Sequence, residues 1–254
     1  MRKLSSWIGP PGECIVGAFW PVMNDSTQAN KIRPARREVR YLALLISLLL
    51  LVVITPFVET HRYSLVLMSI AVAIVIVSGT YAVSERKRLF VVTLIVAAAA
   101  VATTCLVVVL QRKWIGIASD GFLLLLLGLF SVGILGDVLR RGRVSADKIY
   151  GAICVYLLIG TAWASAYAII ESINPASFSG LDQTDKLGSI GQEMQLRYFS
   201  FATMTTLGYG DILPRSSGAR MLATLEAVTG QIYLTVLIAR LVGLNIASTS
   251  SRDD

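Results

Sequence analysis

Six apolar stretches run along this chain, at 41–58, 65–83, 89–110, 117–139, 148–173 and 219–244, separated by short polar or basic segments. Crossing a bilayer takes about 20 apolar residues, roughly 30 Å at 1.5 Å per residue. Each stretch therefore predicts a transmembrane helix. None reads as a cleavable leader, because the first 40 residues carry no apolar run of that kind. The fifth loop, 174–218, breaks the pattern: Asn174-Pro175 ends the preceding helix, and Leu196 to Thr205 is apolar and aromatic but only about 15 Å long as a helix. That length predicts a segment that enters the membrane and turns back. Non-helical backbone at such depth is tolerated only where protein buries it or it lines a watery cavity.

Composition strengthens this reading. Apolar residues make up 55% of the chain and charged residues 15%, and the mean hydropathy is +0.68, values that point to an integral membrane protein. Basic residues set its orientation. Lys31, Arg33, Arg36, Arg37 and Arg40 precede the first stretch; Arg86, Lys87 and Arg88 fill the second loop; Arg140, Arg141, Arg143 and Lys148 fill the fourth. The odd-numbered loops are poorer for their length, holding Arg62, then Arg112 and Lys113, then Lys186, Arg197 and Arg215 across 174–218. The positive-inside rule makes both termini cytoplasmic and places 174–218 outside. It also accounts for most of the net charge of +7, so the basic clusters are topological and compatible with lipid headgroups. They do not point to nucleic acid.

Within the fifth loop stands Thr205-Thr206-Leu207-Gly208-Tyr209-Gly210-Asp211. Glycines at 208 and 210 permit backbone angles that side-chain-bearing residues adopt only at a cost. Such a strand can aim successive carbonyls at one axis. Residues from about 148 to 247, some two-fifths of the chain, resemble the two-helix pore module of the tetrameric potassium channel superfamily, bacterial branch. The resemblance makes Thr206, Leu207, Gly208, Tyr209 and Gly210 an ion-coordinating filter, in which carbonyl oxygens replace an ion's water shell. It makes Phe199 a pore-helix aromatic and Asp211 the acidic residue above the filter. Thr205 and Glu226 are expected to support the filter, with Tyr209 turned from the ion towards surrounding aromatics. Gly230, 20 residues after Gly210, falls where a hinge glycine is common. Two positions depart from the pattern: Leu207 replaces the usual valine or isoleucine, and Ala202 stands where some relatives link a glutamate to the aspartate. One filter segment supplies a quarter of a ring, so four chains are expected, as a homotetramer.

The four preceding helices do not form a voltage sensor by sequence. Moving one charge across the membrane is worth about 2.3 kcal/mol per 100 mV, yet Ile117 to Leu139 contains no Arg or Lys. Asp137 is spaced to pair locally with Arg140 and Arg141, and the four helices read as scaffold.

Remaining polar residues leave alternatives open. Glu226 lies about 12 Å into the last helix; it bonds pore-helix hydroxyls (Ser200, Thr203 or Thr205), faces a watery cavity, or carries a proton. Gly230 is a hinge or a close-packing position. Arg240 reads as snorkelling to the inner interface, and Glu171 lies near the outer end of its helix. Cys14, Cys105 and Cys154 form an odd set without metal-ligand spacing, two of them packing inside apolar helices. His61 has no ligand cluster around it, so the metal expectation is potassium at the filter only, with no cofactor and no enzyme activity.

The expected fold is an all-α membrane protein of six transmembrane helices plus a re-entrant pore helix and selectivity-filter loop. Its divisions are a cytoplasmic segment at 1–40, a four-helix region at 41–143, a pore module at 144–247 and a tail at 248–254. The segment 1–30 shows no periodicity, no internal repeat is visible, and the tail is too short for a ligand-sensing domain. The function expected is passive, potassium-selective conduction across the cell membrane, with itself, lipids and potassium ions as partners. Alternatives are a non-selective cation channel, an ion-uptake transporter subunit, which usually carries several degenerate filter loops, and a non-conducting accessory subunit.

Overall fold

The computed structural model describes residues 40–58, 64–110, 112–140, 145–181 and 189–250. The expectations placed on residues 1–39, with Cys14, and on His61, Arg62, Arg141, Arg143, Lys186 and the last four residues lie outside them.

The described chain is mostly helical: α1 (Arg40–Val58), α2 (Ser64–Val83), α3 (Lys87–Leu110), α4 (Lys113–Val138), α5 (Ala146–Ile173), α6 (Ser189–Met204) and α7 (Ser217–Ser250). Four segments are long and apolar enough to cross a membrane, Lys87–Val107, Lys113–Val138, Ala146–Ile173 and Ser217–Arg240. Those of α1 and α2, Arg40–Ile54 and Ser69–Val83, are shorter apolar helices. Hydroxyls in these helices bond their own backbone: Ser131 donates to Leu127 O, Thr161 to Leu157 O and Ser165 to Thr161 O. These three hydroxyls are thus satisfied without water.

Two boundaries differ from expectation. The short helix expected in the fifth loop starts at Ser189, not Leu196, and its 16 residues make a helix about 24 Å long. Its first turns carry Gln192, Glu193 and Gln195, polar residues that an apolar count passes over. The last helix continues to Ser250. The loops flanking α6 also meet in a small antiparallel ladder, β1 (Phe178–Ser179) with β2 (Leu213–Pro214), pairing Phe178 with Pro214 and Ser179 with Leu213. Two-residue strands leave no alternating pattern to read.

Helix α5 organises the molecule. It packs most extensively on α4 and also touches α1, α6 and α7. Ser145 caps its N-terminus, its hydroxyl accepting from Lys148 N, with Asp147 in the first turn where the helix dipole favours negative charge. One apolar core runs through α1 to α5, centred on Leu44, Leu48, Leu126, Phe130, Ile134 and Leu158. Phe130 of α4 lies so close to Gly79 of α2 that a Cβ there would sit 2.5 Å from its ring. A smaller core joins the C-terminal half of α5 to both strands' flanks, α6 and α7 through Tyr167, Phe178, Leu196, Phe199, Ile212 and Ala219.

Charges gather where α1 begins and α4 ends. Arg40 bridges Glu85 at 2.9 Å and Asp137 at 3.3 Å, and Arg86 bridges Asp137 at 2.8 Å. The Tyr41 hydroxyl donates to the same Asp137 carboxylate, while its backbone N–H reaches Asp147. The expected local pairing of Asp137 with Arg140 is therefore not formed. Helix α4 stops at Val138, which takes Arg140 off the helical spacing, while two other elements present cations. The exposed C-terminal carbonyls of α4 are met by cations from later helices: Lys148 Nζ donates to Arg140 O at 3.2 Å and Arg240 Nη2 donates to Leu139 O. Arg240 is thus tied to α4. Cys154 is buried, its thiol donating to Tyr41 O at 3.4 Å. Cys105 is exposed, contrary to a packing role.

Candidate functional site

The loop Thr205–Asp211 hangs from the C-terminal end of α6, and close helix approaches fix that end. Gly230 of α7 lies against Met204: a Cβ would fall 2.6 Å from Met204 Cγ and 2.8 Å from its carbonyl oxygen. On the other side, Gly160 of α5 allows contact with Phe201 and Met204, and the Tyr156 hydroxyl donates to Met204 O at 3.4 Å. Of the two roles open for Gly230, close packing is the one with a visible contact.

The loop first winds back on the helix. Thr205 N donates to Phe201 O and Thr206 N to Thr203 O, both at 3.0 Å. Leu207 N and Gly208 N share Ala202 O at 2.9 and 3.2 Å. Left-handed backbone then recurs at every second residue, with φ of +61° at Thr206, +57° at Gly208 and +80° at Gly210. For Thr206, a β-branched residue, this region costs roughly 1–3 kcal/mol. Alternating handedness turns successive N–H groups to one side of a strand and carbonyls to the other. All seven residues Thr205–Asp211 are exposed, Leu207 at 54% and Tyr209 at 69%.

The supporting residues are distributed more widely than expected. Tyr209 stacks on Tyr198, with centroids 6.4 Å apart and planes at 10°. The Tyr198 hydroxyl donates to Asp211 Oδ2 at 2.8 Å, taking the aspartate that position 202 leaves unclaimed. That bond, with the Ile212 N–H on the other oxygen, holds the Asp211 carboxyl below the usual carboxylate range. Thr205 Oγ1 donates to Phe201 O at 2.7 Å, which stiffens the end of its own helix. Phe199 does not meet Tyr209. It forms an edge-packed trio with Tyr167 and Phe178, each pair 5.3 Å apart.

Behind α6, Glu226 is fully buried. The Tyr167 hydroxyl donates to its Oε2 and the Ser200 hydroxyl to its Oε1, each at 2.5 Å, and Ser200 Oγ also lies 2.7 Å from Gly160 O. Three helices thus meet at one carboxyl. Thr203 and Thr205 take no part among the described residues. At the C-terminal end of α5 Glu171 accepts from Ala176 N at 2.8 Å and Phe178 N at 3.1 Å, clasping a turn in which Ala176 has φ +66°. Gly180 brings that turn against the loop: a Cβ there would lie 2.0 Å from Asp211 O, and its φ is +87°.

Tyr167, Tyr198, Glu171 and Gly180 are thus parts of the site that spacing did not single out. The available signal was unmet polarity. Tyr167 inside an apolar helix needed a partner and found Glu226, whereas Tyr198 took Asp211 and Glu171 took two backbone N–H groups.

Residues 187–246, covering α6, the loop and most of α7, match the model of a family described as Ion channel. A stretch of 88 residues is 34% identical to two-pore potassium channel 1 of Arabidopsis thaliana, which covers 35% of this chain and 20% of that protein's length. Residues 187–246 are thus similar to an ion-channel family, and the chain spans about a fifth of the length of the curated relative it matches. The likeness to that family lies in the segment that holds the loop; α1 to α5 lie outside residues 187–246. No solved structure matches the chain.

Proposed function

We propose that this chain is the subunit of a passive, potassium-selective channel, a homotetramer in the cell membrane with six spans per subunit and both termini cytoplasmic. The observation that carries the proposal is the backbone of 206–210, where alternate residues are left-handed and the whole strand is uncovered by its own chain. In this reading α6 is the pore helix. Its C-terminal end carries partial negative charge towards the central axis, which favours a cation. Thr206 to Gly210 present carbonyl oxygens to potassium, and their number, spacing and field discriminate it from sodium.

Assembly follows from what the subunit leaves open. Met221, Leu225, Val228, Ile232 and Val236 of α7 are all exposed and recur at helical spacing along one face. A strand lining only one side of an axis needs further copies to close the ring. The six spans take α1 and α2 as crossing helices alongside the four longer ones, with α6 re-entrant.

Purified protein in liposomes tests this directly. Potassium flux is expected, with barium blocking and sodium passing poorly. Gly208→Ala or Gly210→Ala should abolish the preference while leaving the oligomer intact. Equal potassium and sodium permeability would make it a non-selective channel, absence of flux an accessory subunit, and normal selectivity in both variants would remove the filter assignment.

A further inference from the structure

Arg197 is the cation of α6 that the loop chemistry does not use. It is only 7% exposed, and its Nε and Nη1 have no hydrogen-bond partner among the described residues. Glu193, one turn earlier, acts on it electrostatically but bonds neither atom. The side chain lines a cavity of about 20 Å3 together with Leu51 of α1, Val72, Val75 and Ile76 of α2, and Leu123, Leu126, Leu127 and Phe130 of α4. The four-helix region therefore does hold a guanidinium at its inner wall, and it comes from α6.

Buried donors without partners are costly, more so when charged. The cavity exceeds the roughly 10–15 Å3 needed for a water's centre, yet it is too small for a lipid headgroup. Besides Arg197, its lining contains one polar side chain, Thr161 of α5. The Thr161 hydroxyl spends its proton on Leu157 O at 2.9 Å, leaving lone pairs free to accept. A water in this space could accept from Arg197 and donate to Thr161, which meets the minimum of two polar partners.

We propose that this cavity is a specific water site, in which a buried water bridges the Arg197 guanidinium to Thr161 and pins α6 to α5 beside the four-helix region. Helix α6 is then held at two places, by Ser200 at Glu226 of α7 and by hydrated Arg197 at Thr161 of α5. Arg197 is a positioning residue: it touches no part of the 205–211 loop in this arrangement, and it acts through α6. The inference relies on the channel reading only in calling α6 a pore helix.

The test is water-edited solid-state NMR on the full chain in lipid bilayers with 15N-labelled arginine, the Arg197 resonance being assigned by its loss in Arg197→Lys. Transfer of magnetisation from water to Arg197 Nε is expected in the native protein. It should be lost in Thr161→Val, which keeps the side chain's shape but removes the acceptor, and in Val75→Leu, which fills the space. Absence of transfer in the native protein overturns the proposal. So does transfer unchanged in both variants, because bulk water would then reach Arg197 by another route. The readout needs no ion flux, so a failed channel reading and a failed water site give separate results.

Discussion

Glu226 offers the sharpest perturbation, because truncating it should injure the filter region before it harms the fold. Glu226→Ala leaves the Tyr167 hydroxyl without its acceptor at 2.5 Å, while Ser200 keeps Gly160 O at 2.7 Å. One orphaned buried hydroxyl costs about 1–3 kcal/mol, and the lost methylene adds about 0.8 kcal/mol. The sum, on the order of 3 kcal/mol per subunit, falls on the contact of α5, α6 and α7 behind the loop. Glu226→Gln behaves differently. Tyr167 and Ser200 bring two hydroxyl protons to three contacts, so an amide N–H turned to Ser200 Oγ frees the serine proton for Gly160 O. Its cost should stay under about 1 kcal/mol. Single-channel recording should show shorter openings or faster inactivation for Ala and near-native behaviour for Gln, with both assembling normally on size-exclusion chromatography. The reasoning fails if Ala records like the native protein, or if Gln is as damaging as Ala.

Three further outcomes are expected. Gly230→Ala forces a Cβ to 2.6 Å from Met204 Cγ and should lower the oligomer's thermal stability by roughly 1–3 kcal/mol per subunit; a pure hinge role predicts altered gating at unchanged melting temperature. Asp211, its pKa lowered first by the Tyr198 hydroxyl, should stay charged above that lowered value and lose charge, with the bond's stabilisation, only as pH falls through it. Tyr198→Phe should therefore shift the acid-induced fall in low-salt conductance to higher pH, and an unmoved midpoint would contradict this. Because α4 carries no Arg or Lys between Trp114 and Val138, the conductance–voltage curve should be shallow. A slope that requires several charges per subunit, at about 2.3 kcal/mol per 100 mV each, would falsify the scaffold reading of the first four helices.

The helices from α1 to α5 and the start of α7 were legible in the sequence to within a few residues, since long apolar runs have few alternatives in a bilayer. So was the loop: Gly208 and Gly210 mark backbone that only glycine adopts cheaply. Thr206 was not legible in this respect, because nothing in a threonine announces a φ of +61°. The start of α6 was missed because its polar first turns lie outside the apolar pattern.

What tertiary structure alone decided was the partner of each polar group. Asp137 passed over its sequence neighbours for Arg40 and Arg86, Asp211 took Tyr198, and Glu226 took Tyr167, 59 residues away. Hydrophobic periodicity follows from the chain's own geometry and its solvent, so it can be read locally. A buried hydroxyl or carboxylate needs a partner at hydrogen-bond distance, and which one it receives depends on helix packing. That packing rests on close approaches such as Gly230 on Met204 and Gly79 on Phe130, contacts between residues that nothing in the linear order connects.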